Sequence, residues 1–155
     1  MKTKSLSLLF TAGALALALT GSLSANDHKD EFKAMDANGD GNVSQAEHLA
    51  FSQSLFAQSD ADRDANVTAA EWDTAATAAR PGEKMDPSAT AAQLRLMDTD
   101  GNGKISASES DAFATSLFAK SDKNGDGILT KAEYKSASKD FDKDLKKAKK
   151  QQSGN

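Results

Sequence analysis

Thirteen of the chain's 23 carboxylates sit at fixed positions of four twelve-residue segments, each of which opens on Asp and closes on Glu. The segments run 36–47, 60–71, 98–109 and 122–133. Loop one offers Asp36, Asn38, Asp40, the Asn42 carbonyl and Glu47. Loop two offers Asp60, Asp62, Asp64, the Asn66 carbonyl and Glu71. Loop three offers Asp98, Asp100, Asn102, the Lys104 carbonyl and Glu109, and loop four offers Asp122, Asn124, Asp126, the Ile128 carbonyl and Glu133. Side-chain oxygens at positions 1, 3 and 5, a backbone carbonyl at 7 and a two-oxygen Glu at 12 form the all-oxygen shell that a hard cation such as calcium takes. Position 9 is Ser44, Thr68, Ser106 or Thr130, either a water-mediated helper or the first half of a helix-starting capping box with the Glu three residues on. The sharp turn at position 6 falls on Gly41, Gly103 and Gly127, but on Ala65 in loop two. A left-handed alanine costs about 1 kcal/mol, so loop two is expected to be the outlier in affinity.

The elements that must hold these loops follow from their spacing. Within each half the second loop starts 24 residues after the first, and a shift of 62 residues lays one half on the other. Residues 48–59 and 110–121 agree at seven of twelve positions, which reads as an internal duplication. Each unit therefore reads helix, loop, helix, loop, helix. The expected organisation is a first unit at 26–80, a linker at 81–93, a second unit at 94–150 and a disordered tail at 151–155. Asp86-Pro87 provides a cap and a first-turn proline for the helix leading to loop three. The position-8 residues Val43, Val67, Ile105 and Leu129 are expected to form at most short bridges between loops.

Residues 48–59 and 110–121 each span about 18 Å as helix, so one shared helix is expected to carry a loop at each end. Consecutive loops then cannot pair with each other. If the shared helices, with Phe51, Leu55 and Phe56 facing Phe113, Leu117 and Phe118, pack antiparallel, loop one meets loop four and loop two meets loop three. Tyr134, Ala137, Phe141, Leu145 and Ala148 recur at helical spacing and give an amphipathic terminal helix with a lysine-rich, solvated end. His48 is expected on a helix surface.

Residues 1–25 read as a secretory signal peptide: Lys2 and Lys4, an apolar run from Leu6 to Leu19, then small residues to Ala25. The expected location is secreted or periplasmic, with no membrane span. Without the signal the charge is 17 minus 23, or −6, and four divalent ions would bring it to +2, so folding and ion occupancy should be coupled. The chain has no cysteine, which excludes disulfides. No nucleophile-base pairing, phosphate-binding glycine loop or nucleic-acid motif is present, so the sequence reads as a binding protein rather than an enzyme. Cleavage after Ala25 would expose Asn26-Asp27-His28, which can hold Cu(II) or Ni(II), although an ordinary helix start accounts for it as well.

Over residues 29 to about 140 the chain resembles the EF-hand family, which implies an all-α, compact helical domain whose four metal loops fall in two duplicated loop-helix-loop units. The compressed spacing is similar to the lanmodulin branch, which binds trivalent lanthanides. That branch carries Pro at position 2 and typically Asp at position 9. Here position 2 is Ala37, Ala61, Thr99 and Lys123, and position 9 is Ser or Thr throughout. A trivalent ion gains more from each added negative oxygen, so the missing Asp favours calcium. Three roles follow from the resemblance: a calcium buffer or sensor, a lanthanide carrier, or a calcium-dependent adaptor for a protein partner. A sensor exposes a Met-rich groove; only Met35, Met85 and Met97 follow the signal, which favours buffering.

Overall fold

The computed structural model describes residues 27–79 and 87–152 and is mostly helical, with strands of two or three residues. Helix α1 (Asp27–Met35) leads into loop one, at whose end lies β1 (Val43–Ser44). Helix α2 (Gln45–Ser59) joins loop one to loop two, followed by β2 (Asn66–Thr68) and α3 (Ala69–Ala79). The second half repeats the order with α4 (Pro87–Met97), β3 (Lys104–Ser106), α5 (Ala107–Ser121), β4 (Ile128–Leu129) and α6 (Lys131–Gln152). No helix among the described residues is long and apolar enough to cross a membrane.

Helix α4 starts at Pro87, where the Asp86-Pro87 pair predicts a helix start, and so takes in residues 87–93 of the stretch assigned to the linker. One boundary differs from expectation. Gln151 and Gln152, assigned to the tail, continue α6. Residues 1–26, which include the expected signal peptide, and residues 80–86 and 153–155 lie outside the described residues.

The two shared helices α2 and α5 make the most extensive helix contact among the described residues and run antiparallel. His48, near the start of α2, packs its ring edge-on against Phe118, near the end of α5, with centroids 5.6 Å apart. In the middle, Gln53 Nε2 donates to Asp111 Oδ2 at 3.0 Å. The same register sets Ser52 opposite Ala114; both are small and buried, which suits a close crossing. The reversed direction brings opposite ends together. Strand β1 pairs with β4 through Val43 and Leu129, and β2 pairs with β3 through Val67 and Ile105. Loop one thus sits beside loop four, and loop two beside loop three, as the antiparallel arrangement requires.

Each loop pair closes over its own apolar cluster. One gathers Phe32, Met35, Val43, Phe118, Leu129 and Tyr134, flanked by Phe51. The other gathers half-buried Leu94 with the buried Met97, Ile105, Phe56, Val67 and Trp72, flanked by Phe113 and extended by Ala76. Taken in that order, each residue of the first set has its partner in the second 62 positions away, so the two cores are images of one another. Every cluster draws on both halves of the chain, which ties each loop pair to the α2–α5 contact.

The sequence placed His48 on a helix surface, and the structure corrects this: it is 4% exposed. Its side of α2 faces Phe118, and burial pulls its pKa down to about 4, so it is neutral at ordinary pH. Leu117, grouped with the core, is half-buried and lines a surface cavity of about 210 Å³ with Leu96 and Phe113, whereas its counterpart Leu55 is fully enclosed.

Candidate metal centre

One hydrogen-bond scheme recurs in all four loops. The position-1 Asp accepts from the position-6 amide: Gly41 N to Asp36 at 2.9 Å, Ala65 N to Asp60 at 3.1 Å, Gly103 N to Asp98 at 2.8 Å and Gly127 N to Asp122 at 2.8 Å. The position-5 side chain accepts from the position-7 amide, at 2.8 Å for Asp40, Asp64 and Asn102 and 2.9 Å for Asp126. The position-3 side chain accepts from the position-5 amide in the same way, as from Asp40 N to Asn38 at 2.8 Å and Asp126 N to Asn124 at 2.9 Å. These bonds curl the backbone around the side-chain oxygens at positions 1, 3 and 5.

The closing Glu is held from both ends. Glu109 Oε2 accepts from Ser106 N at 2.9 Å and Ser106 Oγ at 2.8 Å, while Oε1 accepts from Thr99 N at 2.8 Å and Thr99 Oγ1 at 2.9 Å. Glu47 and Glu71 bridge their loops likewise, with Asn38 N to Glu47 at 3.2 Å and Ala61 N to Glu71 at 3.1 Å. The position-9 hydroxyl is the other half of this clamp. Ser44, Thr68, Ser106 and Thr130 each donate to the Glu three residues on and accept from its amide, forming complete capping boxes at Ser44 and Ser106. In this arrangement position 9 aims the Glu.

Amide donors hold these carboxyls charged. The Ser106 N–H, assisted by the Ser106 hydroxyl and by Thr99, brings Glu109 down to about 2. Glu47 and Glu71 are lowered chiefly by the backbone N–H of Ser44 and Thr68, and Glu133 chiefly by the Thr130 hydroxyl. The negative charge a cation needs is therefore present at neutral pH and well below it.

The donor sets fit a hard cation. One ligand oxygen from each of Asp60, Asp62 and Glu71, and likewise from Asp98, Asp100 and Glu109, lie within 4.8 Å of one another. In loop one Asp36 Oδ1 is buried without a hydrogen-bond partner, an oxygen a bound cation would satisfy. In loops one and four, where position 3 is Asn, the Asn38 and Asn124 amides donate to Asp40 and Asp126 at 3.1 and 3.0 Å, which orients the position-5 carboxylate. Asn42, Asn66, Lys104 and Ile128, whose carbonyls are the expected position-7 donors, sit at or just before the short strand near the end of each loop.

Loop two departs from its siblings in backbone and in charge. Arg63 and Ala65 take φ of 62° and 64°, where the other three loops have glycine at both positions. The Ala65 carbonyl accepts from Ala107 N at 3.3 Å, which fastens this turn to the start of α5. Replacing Ala65 by Gly is expected to relieve about 1 kcal/mol of left-handed strain. The metal-free protein should then melt about 4 °C higher; an unchanged melting temperature by circular dichroism would show that the turn is unstrained. The sequence missed a further contact at this loop: Lys104 Nζ lies 3.4 Å from Asp64 Oδ2, across the β2–β3 pairing. No spacing rule signals it, because the residues are 40 positions apart.

A family model described as EF hand matches residues 29–47, 91–109 and 113–137. These spans include loops one, three and four; loop two, with Arg63 and Ala65 at the glycine positions, lies outside them. No curated protein matches the chain. The three matches, together with acidic side chains converging in loops two and three, support an EF-hand calcium-binding family for this chain.

Proposed function

We propose that this protein is an exported calcium buffer that binds one ion in each of its four loops, with two duplicated loop-helix-loop units interlocked so that loops pair between units. The observation that carries the reading is the convergence of Asp60, Asp62 and Glu71, and of Asp98, Asp100 and Glu109, to within 4.8 Å. The ligands are the side chains at positions 1, 3, 5 and 12 and the carbonyls at position 7. The ion supplies positive charge to each acidic loop. The chain's own contribution is the hydrogen-bond scheme that presents the oxygens and keeps the closing Glu ionised.

Buffering is favoured over sensing because Met35 and Met97, 1% and 2% exposed, lie within the two apolar cores. A sensor or adaptor would present such residues to a partner. Export rests on the signal-like first 25 residues. The binding role is non-enzymatic.

Four carboxylates in loop two, and the compressed spacing, favour a trivalent ion as the second reading. Trp72 follows Glu71 directly and can sensitise terbium held in loop two. Calcium is expected to displace that terbium, and calorimetry is expected to find four calcium sites per chain. Terbium bound far more tightly, with no calcium binding below millimolar, would replace calcium buffering by lanthanide binding.

A further inference from the structure

Loop two carries one carboxylate more than any sibling, yet the structure already spends a cation on it. Asp64 Oδ1 accepts from the Asn66 amide at 2.8 Å, which leaves Oδ2 as the oxygen for an ion. Lys104 Nζ takes that same oxygen at 3.4 Å. Lys104 reaches it because β3 pairs antiparallel with β2, setting Lys104 opposite Thr68. The other loop pair provides an internal comparison. Shifting by 62 residues turns Asp64 into Asp126 and Lys104 into Asn42, so the residue at the equivalent position for loop four is neutral. There Asp126 Oδ2 accepts from the Asn124 amide of its own loop.

We propose that Lys104 is an intramolecular counter-cation of loop two, occupying the ligand oxygen of Asp64 and setting the affinity of that loop for a metal cation below what four carboxylates would give. This rests on the metal-binding reading above. An incoming ion must displace the ammonium or bear its repulsion at close range. The contact also links two sites through one residue, since the carbonyl of Lys104 is a loop-three donor while its ammonium sits on loop two. Both side chains are partly exposed, so the effect is modest and weakens with salt.

The test is Lys104→Met, which keeps the stem and the carbonyl and removes the charge. Calcium displacement of terbium sensitised by Trp72 reads loop two, and Tyr134, next to Glu133, reads loop four in the same way. Calcium at loop two is expected to bind about two- to threefold more tightly in the variant at low salt, as suits a partly exposed ion pair. Loop four is expected to be unchanged, and the gain to shrink in 0.5 M salt. Asn42→Lys is expected to weaken loop four instead. Lys139→Met, on the exposed side of α6, removes the same charge without touching either loop. An equal gain from Lys139→Met, or none from Lys104→Met in a protein that binds calcium, overturns the proposal alone. Failure of the unaltered protein to bind any of these ions overturns the metal-binding reading with it.

Discussion

Glutamine at position 109 is expected to remove calcium binding from loop three, with an affinity loss on the order of 100-fold, since losing outer partners of a metal site alone typically costs 10- to 100-fold. The wiring explains why so small a change acts so strongly. Both oxygens of Glu109 accept hydrogen bonds, Oε1 from Thr99 and Asp100 and Oε2 from Ser106. An amide in either orientation turns an N–H toward one of these donor sets, so the clamp opens at one end. The formal charge is lost as well. Calorimetry is expected to find one calcium site fewer per chain, and the metal-free variant should also be less stable, because Glu109 is 8% exposed and its donors lose their acceptor. An unchanged stoichiometry and affinity would mean that Glu109 is a capping residue and no ligand.

Alanine in place of Phe118 is expected to destabilise the metal-free protein by about 3–5 kcal/mol, the usual cost of truncating a buried phenylalanine. Phe118 is 4% exposed, belongs to the cluster under loops one and four, and carries the ring contact to His48 that registers α5 against α2. Small domains have about 5–15 kcal/mol in total, so the melting temperature should fall by at least about 10 °C. Calcium is expected to recover part of this through binding to the folded state. Phe51→Ala, at a half-buried flank of the same cluster, should cost clearly less. A Phe118→Ala melt within a few degrees of the unaltered protein would show that the cluster does not hold the two halves together.

Much of the candidate site can be read from the sequence because its residues are local. Asp36 and Glu47 lie within one loop, and the amides that wire them lie there too, so a spacing rule captures the arrangement. The helix starts were legible for the same reason, as with Pro87 opening α4. The shared helix was legible from loop spacing, and its antiparallel packing followed from a need to pair loops that one rigid helix holds apart.

What could not be read depends on contacts between distant segments. His48 looked like surface because α2 bears apolar residues around much of its girth, and nothing local says which side meets α5. Lys104 appeared only as a carbonyl donor; its ammonium acquires a role because β3 lies beside β2. Position 9 allows two readings in the sequence, and in the structure its hydroxyls aim the closing Glu.

The sequence by itself determined the four acidic loops, the helices that separate them and the left-handed turn that falls on Ala65, because these rest on short-range spacing and on the φ each residue tolerates. Only the tertiary structure decided which loops share a core, how His48 is buried and which cation stands on Asp64. Those depend on the register in which α2 and α5 cross, a property of two surfaces together that neither helix carries alone.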